Sequence, residues 1–198
     1  YIMHLVQNKK GSQFFYNVLA NTNKIVMPKR WYTEIGDIDD NNYLLICKHL
    51  EEIQDIKLRD FQYKLNTKII VTKTFLHRIN IVDNDRCSYC NLESETIQHL
   101  FFNCRIVEHF VNLVHMWFKD HCNLEFSDQF KQFIFSIDSD SVAGKYISLL
   151  LKYFIYKSKF RENAKFCLTL NNFKIYIKEK LHIKKSICAK NNKIKNFE

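Results

Sequence analysis

Apolar positions recur at three- and four-residue intervals along most of the chain, and that spacing predicts helices. Asp55 to Asn66 places Leu58, Phe61, Gln62 and Leu65 on one side and Lys57, Arg59 and Lys64 on the other. Thr72 is placed to cap a helix running through Asn80, with Phe75, Leu76 and Ile79 apolar. Arg105 to His121 carries Ile106, Phe110, Leu113, Val114 and Trp117 in register. Ser127 caps a short aromatic helix with Phe130, Phe133 and Ile134, and Ser141 to Arg161 forms a long one. Between Asn163 and Ala189 a further helix turns Leu170, Phe173, Tyr176, Ile177 and Leu181 inward and its lysines outward.

Upstream, Ser12 caps a helix carrying Phe14, Phe15, Val18 and Leu19. Pro28 fits the first turn of a second, with Trp31 and Ile35 inward and Gly36 closing it. Asp39 or Asp40 caps a third, with Tyr43, Leu44, Cys47 and Leu50 on one face. The β-branched run Lys68 to Val71 reads as a linker, Asp138 to Gly144 as a polar connection, and Asn191 to Glu198 as a frayed end. The expected fold is mostly α, in three segments. Residues 1–54 are an N-terminal helical segment, 55–122 a module around a Cys/His cluster, and 123–198 a set of basic C-terminal helices.

Composition supports helices over sheets. The chain has 198 residues, 46% of them hydrophobic, with 17 Phe and 10 Tyr to fill a core. Only 3 Gly and 1 Pro are available for turns, too few for a sheet-rich fold. The longest apolar window, Tyr146 to Tyr156, is interrupted by Lys152 and too short to span a bilayer. No signal peptide is visible at Tyr1 to Gly11. A start at Tyr rather than Met reads as a fragment of something longer.

Charge is uneven. The net is +9, yet from Lys145 onward 14 Lys/Arg stand against 3 Asp/Glu. That asymmetry points to a polyanion, nucleic acid before membrane, with a merely solvated lysine face as the plain alternative.

The 7 cysteines are an odd number, and three of them cluster with a histidine. Cys87, Cys90, His99 and Cys104 stand as C-x2-C-x8-H-x4-C, while Cys47, Cys122, Cys167 and Cys188 are scattered. This is the pattern of a metal site plus buried thiols in a reducing compartment. A two-residue spacing lets a tight turn aim both sulfurs at one ion, and zinc takes four ligands of this kind. Ser94 and Glu95 start a short helix that presents His99. Five residues on, Cys104 would lie about 140° off the same face of an α-helix, so the helix must end and the chain bend back. Four protein ligands leave no open position, which makes the zinc structural rather than catalytic. A nucleobase deaminase needs Glu two residues after its histidine ligand, where Phe101 stands here. A redox role for the Cys-x2-Cys pair lacks the surrounding βαβ pattern.

Four stretches then carry a resemblance. They are Leu58-Arg-Asp-Phe-Gln-Tyr-Lys-Leu-Asn66, Thr72-Lys-Thr-Phe-Leu-His-Arg-Ile79, Asp83-Asn-Asp-Arg-Cys-Ser-Tyr-Cys90 and Glu93-Ser-Glu-Thr-Ile-Gln-His-Leu-Phe-Phe-Asn-Cys104. Together they resemble the zinc-binding region downstream of the reverse transcriptase domain in non-LTR retrotransposons of the long interspersed element type. The resemblance is strongest over Leu58 to Phe110. Family members often have Pro where Val71 stands and Gly where Asn80 stands, which bears on the turns beside the module and not on the ligands.

The resemblance implies an accessory domain that holds template RNA or the target-primed junction for an RNA-directed DNA polymerase. The chain itself would not polymerise, since that needs paired aspartates on a strand turn to hold two metal ions. Its one adjacent pair, Asp39-Asp40, reads as a helix cap. Expected partners are RNA, DNA or both, and an upstream polymerase domain of the same polyprotein, in the cytoplasm and nucleus. Candidate phosphate contacts are Lys57, Arg59, Lys64, Lys68, Lys73, Arg78, Arg86 and Arg105. Tyr89 either stacks on a base or packs on the metal loop. Lys152, Lys157, Lys159 and Arg161 form a further basic group at one helix end. A competing reading is a protein-interaction scaffold from a decayed or host-adopted element fragment.

Overall fold

A computed structural model describes Trp31, residues 40–136 and residues 141–181. The helices expected around Ser12 and Pro28, and the tail from Asn191, lie outside the described residues. The architecture is mostly helical. Helix α1 spans Asp40–Glu51, α2 Ile56–Asn66, α3 Lys73–Arg78, α4 Arg105–Cys122, α5 Phe130–Phe135, α6 Val142–Ser158 and α7 Ala164–Cys167. A last helix, α8, covers 170–181. Among the described residues the only extended pairing is one bridge, Arg86 with Ser94.

Short polar side chains start these helices by satisfying backbone N–H groups that have no partner within the helix. The Asp55 carboxylate accepts from Lys57 and Leu58. Thr72 Oγ1 accepts from Phe75 N–H, and Ser141 Oγ from Gly144 N–H at 2.8 Å. Asn80 and Asn123 close α3 and α4 in the left-handed region, at φ 56° and 50°. Asparagine tolerates that region better than most residues, so Asn80 can hold a turn for which glycine is the usual choice.

α2 is the centre of the fold and contacts α1, α5 and α6. It buries Leu58, Phe61, Gln62, Leu65 and Asn66, which includes the face expected from its spacing. Gln62 is buried because its amide is fully used: Nε2 donates to Asn66 Oδ1 at 2.6 Å and to the Ile134 carbonyl at 2.8 Å. Trp31, with no exposed surface, donates from Nε1 to the Asn66 carbonyl at 2.8 Å. On the far side of α6, the rings of Phe110, Phe154 and Phe173 meet with centroids 5.3 to 5.9 Å apart.

Three expectations need correction. α4 buries Val107, Phe110, Val114 and Phe118, while Leu113 is exposed and Ile106 and Trp117 are half-buried. Apolar residues occupy so wide an arc of this helix that periodicity cannot locate its centre. α3 ends at Arg78 rather than running through Asn80, and its apolar Phe75 and the following Ile79 face solvent. Leu181 is exposed, whereas Phe173 and Ile177 on the same helix are buried.

Lys152 was expected in a basic surface group but is fully buried inside α6. Its ammonium donates to the Phe133 and Ile134 carbonyls at 2.8 and 2.9 Å and to Ser136 Oγ at 2.5 Å. It thereby satisfies the C-terminal end of α5, where carbonyls lack partners and the helix dipole favours a cation.

Candidate metal centre

The centre is built from a loop, a bridge and one widened helical turn. Asn91, at φ 55°, turns the chain after Cys90, and its N–H donates to the Cys87 carbonyl at 2.9 Å. Cys87 N–H donates to the Glu93 carbonyl at 2.8 Å, which brings the strand-like segments on either side of the turn together. The Tyr89 N–H points at Cys87 Sγ, 3.4 Å away, as expected of a turn shaped to stabilise thiolate.

His99 follows a turn capped by Thr96, whose Oγ1 accepts from the His99 N–H at 3.0 Å. From His99 to Asn103 the backbone is π-helical, and Cys104 N–H donates to the His99 carbonyl at 2.9 Å, five residues back. This is how the chain resolves the angular mismatch between His99 and Cys104. The wider turn brings the fifth residue back toward the first, and extended geometry at Cys104 (φ −71°, ψ 116°) then ends it.

All four ligand atoms lie within 4.8 Å of one another. Cys87 Sγ and Cys104 Sγ are 3.9 Å apart, and Cys90 Sγ lies 3.3 Å from His99 Nε2. A tetrahedral zinc with Zn–S of about 2.3 Å and Zn–N of about 2.0 Å sets these separations at roughly 3.8 and 3.5 Å. The residues present therefore fit Zn²⁺. Cys87, His99 and Cys104 are buried and Cys90 is half-buried. With four protein donors the site is closed, and the ion is structural.

Local electrostatics favour metal-ready sulfur. The Cys104 thiol is lowered, first by the hydrogen bond from Cys87, and further by the Val107 and Ile106 N–H groups and by His99. Those amides open α4, so its positive end faces this sulfur. Cys87 moves the opposite way, because it holds the shared proton and is desolvated.

Two glutamates support the ligands; nothing in the sequence pattern assigns Glu93 a role, and Glu95 is expected with Ser94 at a helix start, whereas the helix begins at Ile97. Glu93 Oε2 lies 3.1 Å from His99 Nδ1, which leaves Nε2 for the metal and fixes the ring. Glu95 is completely buried. Its Oε1 accepts from Lys73 N–H at 3.0 Å and from the Lys159 ammonium at 2.6 Å. Its Oε2 accepts from Ser88 N–H at 2.9 Å and from Ser88 Oγ at 2.6 Å. One carboxylate thus joins the Cys87–Cys90 turn, the start of α3 and the end of α6. Burial alone would raise Glu95, but Lys159 and the Ser88 donors hold it below the ordinary carboxylate value. Burial pushes Lys159 down against the pull of Glu95.

The other predicted contacts fall in two groups. Lys57, Arg59, Lys64, Arg78, Arg86 and Arg105 are exposed, and Lys73 and Lys68 are half-buried. Lys64 pairs with Asp60 at 2.7 Å, Arg86 donates to the Leu92 carbonyl at 2.5 Å, and the Lys68 ammonium sits 5.0 Å from the Trp31 ring. Tyr89 does not join them: it is 3% exposed, and its hydroxyl donates to the Ile155 carbonyl. Its ring packs the metal loop onto α6 and offers no face to a base. Lys159 likewise leaves the basic surface group, since Glu95 and the Val71 carbonyl take its ammonium. His109 is exposed on α4 and plays no part in the ligand cluster.

No curated protein and no solved structure matches the chain. Residues 41–110, which contain all four ligands, match the family described as zinc-binding in reverse transcriptase.

Proposed function

We propose that this chain is a structural-zinc, nucleic-acid-binding accessory domain of a reverse transcriptase. It works beside a polymerase domain upstream in the same polyprotein, in the cytoplasm and nucleus, and does not itself polymerise. The observation that carries the reading is a closed Cys-Cys-His-Cys centre inside a stretch matching zinc-binding in reverse transcriptase. Zinc, when bound, cross-links the loop and supplies no reactive position. The chain's own residues do the rest. Glu95 and Lys159 lock the loop to α3 and α6, while Lys57, Arg59, Lys64, Arg78, Arg86 and Arg105 stay exposed. Such cations bind phosphates by releasing condensed counterions, which makes affinity depend on salt.

The test is a fluorescence titration of labelled RNA and DNA against the zinc-loaded chain at rising salt. Log affinity should fall linearly with log salt, by about 0.7 per single-strand phosphate engaged. Salt-insensitive binding, or no binding, overturns the reading. A protein-docking scaffold is the second reading, favoured by the exposed Leu113 and Phe166 beside one groove. It predicts a partner protein that competes at those residues and no nucleic-acid affinity.

A further inference from the structure

A groove of about 670 Å³ runs between the 68–72 linker, α3 and the turn at Thr96 and Ile97. Among the described residues its lining holds Lys68 and Arg78, three threonines, three isoleucines, the ring of Phe75, and no carboxylate. Phe75 is 39% exposed although it is the largest apolar side chain of its helix. Folding does not require this exposure. A six-residue helix is marginal by itself, and α3 is held by the Thr72 cap and by Glu95 on the Lys73 N–H rather than by burying a face. The Arg78 guanidinium lies 5.4 Å from the Phe75 ring centroid, so a cation already flanks the aromatic face. Thr74 Oγ1, also in the lining, is buried without a hydrogen-bond partner.

We infer that this groove holds an unpaired nucleic-acid segment, with one base stacked on Phe75 and a neighbouring phosphate held by Arg78. The inference rests on the nucleic-acid reading above and narrows it to a site and to a single-stranded ligand. An aromatic ring can stack only on a base whose face is free, and duplex bases hide theirs against their neighbours. The positive charge of the lining suits a phosphate backbone. The same geometry couples the groove to the metal. Glu95 binds Ser88 between two ligands and the first amide of α3, so disorder in the loop releases the helix that carries Phe75.

The experiment compares labelled single-stranded RNA, single-stranded DNA and the matching duplex on the zinc-loaded full chain, for wild type, Phe75→Leu, Phe75→Trp and Arg78→Gln. Zinc content confirms folding of each variant. The single strand should bind more tightly than the duplex. Phe75→Leu should weaken single-strand binding roughly 5- to 100-fold with an unchanged salt slope, and Phe75→Trp should keep it. Arg78→Gln should weaken it and flatten the slope by about 0.7. Wild-type affinity in Phe75→Leu, or equal affinity for duplex, overturns the groove. If replacing Lys57, Arg59 and Lys64 together by Gln then still weakens binding, the broader reading survives without it. Absence of any binding by wild type removes both.

Discussion

The zinc loop and the aromatic core beside it reach order by different routes. Between Asp85 and Cys104 the chain is held by four ligands, one bridge, and hydrogen bonds that converge on Glu93 and Glu95. Its buried apolar side chains, Tyr89, Ile97, Leu100 and Phe101, sit where it meets the helices. Across α4, α6 and α8 the order comes from area removed from water: Val114, Leu150, Ile155 and Phe173 have no exposed surface. Burial contributes about 25 cal/mol per Å², is spread over many atoms, and tolerates substitutions that conserve volume. Ligand bonds are few and concentrated, so losing one is not made up by its neighbours. The loop should therefore fail abruptly and the core gradually.

Removing the metal gives the sharpest contrast. Apparent binding free energies for structural zinc in small modules run to about 10–16 kcal/mol, and that energy is folding energy. Chelation, or Cys104→Ser, should speed amide hydrogen exchange over 87–104 by more than about a hundredfold. Exchange within 110–118 and 149–155 should change much less. Metal analysis should give one zinc per wild-type chain and less than that for Cys104→Ser. Equal collapse of both regions would show that they form one cooperative unit and end the comparison.

The next largest effect lies at the seam between them. Glu95→Ala leaves the Lys159 ammonium buried without its anion and strips acceptors from Ser88 and Lys73. Breaking a buried pair on one side costs about 3–5 kcal/mol, whereas replacing both partners with apolar groups costs far less. Urea unfolding in zinc-saturated buffer should show that loss for Glu95→Ala and partial recovery when Lys159→Met is added. Zinc affinity should also fall, because Ser88 stands between two ligands. A loss below about 1 kcal/mol would remove Glu95 from its central place.

What the sequence made legible follows the same division. The ligands were readable because their chemistry is local: two cysteines in one tight turn, then a histidine and a cysteine within fourteen further residues. The Thr72 cap was readable for the same reason, with donor and acceptor only three residues apart. Glu95 and Lys159 were not, because their partnership spans 64 residues and each alone looks like a surface charge. By position Lys152 groups with the other basic residues at one helix end, yet its partners at Phe133 and Ile134 come from another helix. Tyr89 was equally readable as a base platform or a core residue, and only Ile155, 66 residues away, decides it.

The smallest effect tests whether the core carries pH sensitivity independent of the metal. His115 on α4 stacks on Phe126 with centroids 4.6 Å apart, and its Nε2 is buried without a partner. Burial lowers it to about 4, with Asp128 opposing. Unfolded, its value returns to about 6.5. Above that pH both states are neutral and His115 contributes nothing to pH dependence. As pH falls from about 6.5 toward 4, the unfolded chain binds a proton that the native state refuses, and stability drops. Below about 4 both states are protonated and the loss levels off. At pH 5.5 the penalty is about 1 kcal/mol, against effects several times larger at the seam. Acid also loosens zinc by protonating its ligands, so the measurement is a difference: urea stability of wild type and His115→Phe, each at pH 7.5 and pH 5.5. Wild type should lose about 1 kcal/mol more than the variant over that interval, because the phenylalanine keeps the stack and removes the titration. Equal losses would assign all acid sensitivity to the zinc loop and leave the core indifferent to pH.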